Sequence, residues 1–193
     1  MIELARMETE NFIYCLEAVP DVDEVETTEV TKILENVALT QDIASIYKTC
    51  DTIEGLEESL SFLLHNDHNF KDYEIIYLVL PGEGNNILIN DYYYSFQEIA
   101  ELFEGQMQGK VIHFANKKIL DLEEEEFQYF LDVTGARAIS GYGRRSEQMT
   151  STYTLDRVFF SLFYQNDDLR EVVENMFRKH YKLCQLLDFR LYY

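Results

Sequence analysis

The longest purely apolar run in the sequence is Ile75-Ile76-Tyr77-Leu78-Val79-Leu80, and Pro81-Gly82 cuts it off. A run that is apolar at every position, not every second one, marks a strand covered on both faces in the middle of a parallel sheet. Around it the pattern changes period again and again. Phe12–Ala18 reads as a first strand, closed by Val19-Pro20 and an acidic loop. Thr27 or Thr28 then caps a short helix carrying Val30, Ile33, Leu34 and Val37 on one side. Ile43–Cys50 is a partly polar strand suited to a place near the sheet edge. Asp51 with Glu54 has the form of a capping box, opening a helix with Ile53, Leu56, Leu60, Leu63 and Leu64 on one face.

Beyond the central strand, Ile87–Asn90 predicts a small β-ribbon after the PGEGNN turn. Ser95 and Glu98 form a capping box ahead of Ile99, Leu102 and Phe103, and Gly105 and Gly109 close that helix. Lys110–Ala115 is the next strand. Asp121–Glu124 opens a helix that packs Leu122, Phe127, Phe130 and Leu131, with Gly135 at its C′ position. Ala136–Ser140 is a short strand running into Gly141–Arg145. Two helices, over 154–164 and 167–182, precede an alternating, half-exposed edge strand, Leu187–Leu191. Strands alternating with helices predict a single α/β domain over residues 1–193. It is a three-layer sandwich around a mostly parallel, doubly wound sheet, with an antiparallel edge element.

Composition changes this picture little. Hydrophobic residues at 47% exclude disorder. The net charge of -20 argues against nucleic acid and anionic membrane surfaces as partners and leaves a basic protein partner open. The sparse, odd set Cys15, Cys50 and Cys184 speaks for a reducing compartment, with no zinc-type spacing. The acidic opening MIELARMETENF has no signal-peptide core and no run approaches a membrane span, so the cytoplasm is the expected location. No cofactor or metal is expected. PGEGNN lacks the ending of a phosphate loop, and His65, Asp67 and His68 are too loosely spaced for a metal set.

In open α/β sheets chemistry sits beyond the carboxyl ends of the strands. That rim gathers Leu80–Glu83, Ala115–Lys118 and Gly141–Arg145, and the first strand adds Cys15 or Glu17. In a chain with 16 Lys+Arg against 36 Asp+Glu, Lys117, Lys118, Arg144 and Arg145 cluster there beside Asn116 and Tyr142. They form a candidate rim for an acidic peptide side chain or a phosphate-bearing small molecule.

An apolar strand ending near Gly82, then a helix, the strand Val111-Ile-His-Phe114, a helix, and a strand ending Ser140-Gly141-Tyr142 resembles caspase-like domains. The likeness is to uncharacterised bacterial members of that superfamily, alongside the CHAT-type peptidases, and covers most of Phe12–Tyr164. It implies a His general base after the central strand and a Cys nucleophile after the next. This chain has Pro81, before the retained Gly82, at the first position and Lys117 at the second. The resemblance therefore implies a pseudoenzyme that acts with a protein partner, in a bacterial setting of defence or stress signalling. Two alternatives stand beside it. One is a cysteine-type hydrolase with a non-standard site using Cys15 or His113, although each also fits a plain core role. The other is a flavodoxin-like, small-anion or nucleotide-binding α/β domain using the same strand-end crevice. The segment Asp91–Tyr94 is a candidate partner patch.

Overall fold

The structure, a computed structural model, describes residues 11–24, 27–83, 85–115, 117, 119–145 and 149–193, with backbone alone at 83 and 149–152. The first half runs β1 (Asn11–Ala18), α1 (Glu29–Gln41), β2 (Ile43–Cys50), α2 (Ile53–His65) and β3 (Tyr73–Val79). A ribbon of β4 (Gly82–Glu83), β5 (Asn86–Ile89) and β6 (Tyr92–Ser95) follows. Then come α3 (Phe96–Leu102), β7 (Val111–Phe114), α4 (Glu124–Thr134), β8 (Ala138–Tyr142), α5 (Met149–Gln165), α6 (Leu169–Leu187) and β9 (Phe189–Tyr192).

The main sheet has the order β2-β1-β3-β7-β8-β9 and is parallel except for β9. The fully apolar run is indeed central: Ile75 to Val79 are all buried, between β1 and β7. β2 alternates in burial and lies at one edge, and half-buried β9 at the other. The ribbon forms a separate antiparallel sheet.

Right-handed crossovers explain which face each helix covers. The step from β1 to β2 runs outward, and its helix α1 lies on one face. The steps from β2 back through β3, β7 and β8 run the other way, so α2, α3 and α4 lie on the opposite face. This gives two cores. Ile13, Tyr77, Val111 and Ala138 pack on α1, α5 and α6, whereas Tyr14, Leu78, Ile112 and Ile139 pack on α2, α3 and α4.

Several element ends differ from the sequence expectation, each for a local reason. The cap of α2 is Thr52, which accepts from the Gly55 amide, while Asp51 accepts from the Val22 amide. Helix α4 starts at Glu124, because Glu123 and Glu126 form the reciprocal cap and Asp121 instead pairs with Arg190. Helix α6 continues past a kink at His180 to Leu187, so β9 begins two residues late. Strand β8 extends through Tyr142. Thr28, Ser95 and Gly135 do cap as expected, Gly135 with φ 73.

The α5 face contains an unusual polar row. In register across the sheet stand Tyr47, Cys15, Tyr77, His113 and Ser140. Helix α5 lays Asp156 onto it. Its carboxylate accepts from the Tyr77 hydroxyl at 2.6 Å, from His113 Nε2 at 2.9 Å and from the Tyr142 hydroxyl. Asp156 and His113 are 0% exposed, so every polar atom here must find its partner inside. Tyr77 and Tyr142 remain firmly protonated donors, their hydroxyl pKa values pushed well up by burial and then by the Asp156 charge.

Removing the hub strands three donors at once. Asp156→Ala should lower stability by about 3–5 kcal/mol and Tyr77→Phe by about 1–2 kcal/mol, read as a fall in urea midpoint at constant slope. A loss under about 0.5 kcal/mol for Asp156→Ala would show that the hub is not structural.

Candidate functional site

Strand order reverses at β1: the chain steps from β1 out to β2, then back across to β3. The crevice beyond the carboxyl ends of β1 and β3 is therefore the topological switch point, where open α/β sheets bind ligands. Its contents are specific. Glu17, one residue before the end of β1, is 3% exposed. One of its oxygens accepts from the Thr28 hydroxyl at 2.7 Å and the Tyr47 hydroxyl at 2.8 Å. The other accepts from Lys117 Nζ at 2.8 Å.

Thr28 is the N-cap of α1, and a helix N-terminus at a switch point is where such folds hold a phosphate or carboxylate. Here the protein's own carboxylate lies beside that cap. A buried carboxylate needs a cation, and Lys117 supplies it from beyond β7.

The β3 end is knitted into the same place. The Gly82 amide donates to the Lys117 carbonyl at 3.2 Å, and the Arg145 guanidinium donates to the Gly82 carbonyl. Glycine is required at 82 because a Cβ would lie 2.1 Å from the Asn86 carbonyl oxygen where β4 meets β5. Pro81 is half-buried and its carbonyl accepts from the Leu88 amide, fixing the ribbon to the strand end.

The residues expected at an anion rim thus have different fates. Lys117 is spent on Glu17, and Arg145 reaches back to Gly82. Arg144 is exposed, with its amide donating to the Leu187 carbonyl. Asn116 and Lys118 lie outside the described residues. Tyr142 is not a rim residue: because β8 runs two residues further than Ser140, its ring turns inward and is 0% exposed.

The alternative nucleophile and base are likewise enclosed. Cys15 is 0% exposed, and burial, then the Glu17 charge, pushes its thiol well up from the ordinary range. His113 bridges Ser140 Oγ at 2.8 Å and Asp156. This Ser–His–Asp chain has the ring reversed relative to a hydrolytic triad: the serine meets Nδ1 and the acid meets Nε2. Ser140 is 0% exposed, so its hydroxyl reaches no substrate in this conformation. Among the described residues no group of His, Cys, Asp and Glu is arranged to hold a metal ion. Asp67 instead braces its own turn, accepting from the Tyr73 hydroxyl and the Asn69 amide.

Glu17, Tyr47 and Asp156 carry the site; the sequence places Glu17 near the rim without a partner, and it leaves Tyr47 as an edge residue and Asp156 as part of a helix. A signal existed for two of them. Glu17 interrupts an apolar strand, and Asp156 falls three and four residues before Phe159 and Phe160, on the buried face of α5.

The Glu17–Lys117 pair has a measurable signature. Lys117→Met, leaving a buried carboxylate uncompensated, should cost about 2 kcal/mol, less than a fully buried pair because Lys117 is partly solvated; Glu17→Gln on the same background should restore at least half. Strictly additive effects in this double-mutant cycle would show that the two side chains are not coupled.

The model of a family of unknown function, DUF6642, matches residues 10–193. Among curated proteins, none matches the chain. The match extends from the first described strand through β9, taking in Glu17, Lys117 and Asp156, so the chain belongs to the DUF6642 family.

Proposed function

We propose that this chain is a non-catalytic, caspase-like α/β module that works by binding a protein partner. The observation that carries the reading is the Lys117–Glu17 ion pair. Where the resemblance implies a nucleophilic Cys there is an ammonium held 2.8 Å from a buried carboxylate. An ammonium has no free lone pair, so in that ion pair it is a poor nucleophile. Pro81 offers no titratable group at the implied position of the base.

Enclosure of Cys15, His113 and Ser140 supports the same conclusion against a hydrolase with a relocated site. A small-anion role draws less support, because Glu17 puts a negative charge at the switch point and takes Lys117 out of the rim. The ribbon favours a partner: Tyr92 and Tyr93 are 55% and 57% exposed, on short strands tied to α2 by Tyr94 and Glu57. The three unpaired, buried cysteines support a reducing compartment, and the cytoplasm is the proposed location. Among the described residues no helix is long and apolar enough to cross a membrane.

Hydrolysis of fluorogenic peptides with acidic, basic and apolar residues before the scissile bond tests the reading. The expected result is no turnover above buffer. Turnover that disappears in Cys15→Ala or His113→Gln would overturn it.

A further inference from the structure

Helices α3 and α4 pack side by side on the face away from Asp156, and the surface they share has one sign of charge. Neither helix contains a lysine, arginine or histidine. Between them lies a groove lined by Phe96, Gln97, Glu125, Glu126 and Tyr129. Its floor is apolar and rigid: Phe96 is 5% exposed and stacks on Phe130 with ring centroids 4.5 Å apart. Its walls are polar and held in place. Glu101 accepts from Gln97 at 3.2 Å and from the Tyr129 hydroxyl at 3.3 Å, fixing a carboxylate beside an aromatic ring that is 39% exposed. Among the described residues no lysine or arginine forms an ion pair with Glu101, Glu125 or Glu126.

Helix physics alone does not account for this charge. Glu124, Glu125 and Glu126 suit the positive end of α4, but Glu101 and Asp132 lie in last turns, where the macrodipole favours a cation. Acid there works against the macrodipole, and among the described residues the fold returns only neutral donors to it: Gln97 and Tyr129 to Glu101, and Gln128 to Asp132. A metal ion is not what the groove is shaped for, since the described carboxylates do not converge as a ligand set. A planar organic cation is better matched. Guanidinium forks onto carboxylates and stacks on a tyrosine face, and both features lie along this one groove.

We infer that the α3–α4 groove is the docking surface for a basic, arginine-bearing segment of a partner protein. This deepens the partner-binding reading above and rests on it. The net charge of -20 adds long-range attraction for such a segment, while Tyr129 and the ordered Glu101 give the local discrimination that diffuse charge lacks.

The test uses the full chain and a short fluorescein-labelled peptide carrying three arginines among glycines and serines, followed by anisotropy at moderate salt. Its lysine counterpart is the second probe. Glu125→Gln combined with Tyr129→Ala removes one acid and the ring. Glu35→Gln with Glu58→Gln removes exposed acids on α1 and α2 instead, as a control for net charge. Expected is saturable binding of the arginine peptide, weakened about tenfold in the groove variant, equivalent to about 1.4 kcal/mol, and less than twofold in the control. The lysine peptide should bind more weakly than the arginine one. Equal weakening in both variants, or no binding to the wild type, would overturn the docking site. Either result leaves the non-catalytic reading standing, whereas peptide turnover by the wild type would sink that reading first.

Discussion

A single buried carboxylate, Asp156, determines how one face of this protein is built. Among the described residues no lysine or arginine forms an ion pair with it; its donors are hydroxyls and an imidazole from β3, β7 and β8. Each donor is itself buried, so none has water as an alternative partner. The cost of desolvating the acid is offset only if α5 lies in one register and one rotation over the sheet. The aromatic packing of Phe159 and Phe160 against His113 and Tyr77 then follows from that placement. Apolar packing alone would leave α5 freer to slide; the polar hub removes that freedom.

The same logic operates at the switch point one pleat further along β1. Cys15 belongs to the enclosed row and Glu17 to the crevice above it, two residues apart on the same face. A protein with a ligand at its switch point leaves charge or amides uncommitted there. This one commits its charges and hydroxyls to each other: Glu17 takes the donors of Thr28 and Tyr47, and Lys117 neutralises Glu17. The proposed partner-binding role therefore draws on how the crevice is filled as well as on Pro81 and Lys117 standing where the resemblance implies a His and a Cys, and it moves attention to exposed surfaces such as the α3–α4 groove.

Much of the fold was legible in the sequence because its signals are local. The uninterrupted run of β3, the partly polar make-up of β2, the capping residues Thr28 and Ser95, and Gly135 each act within a few neighbours. The site was less legible because its bonds are not local. Glu17 meets Tyr47 thirty positions away and Lys117 a hundred positions away, and no periodicity encodes either contact. Tyr142 was misplaced for a smaller reason. Strand ends are weakly specified, and a β8 that lies two residues further along, at Ala138–Tyr142, turns a rim side chain into a core one. The resemblance to caspase-like domains singles out Pro81 and Lys117, but the carboxylate that pairs with Lys117, Glu17, lies outside that motif.

The central claim is that α5, locked by Asp156, seals the row containing Cys15. The most direct measurement is the rate of Cys15 alkylation as a function of urea, followed by peptide mass spectrometry in the native full-length chain. The account predicts that Cys15 reacts only through global unfolding, with a urea dependence equal to that of the whole protein. Rapid, urea-independent labelling of Cys15 in native buffer would contradict it.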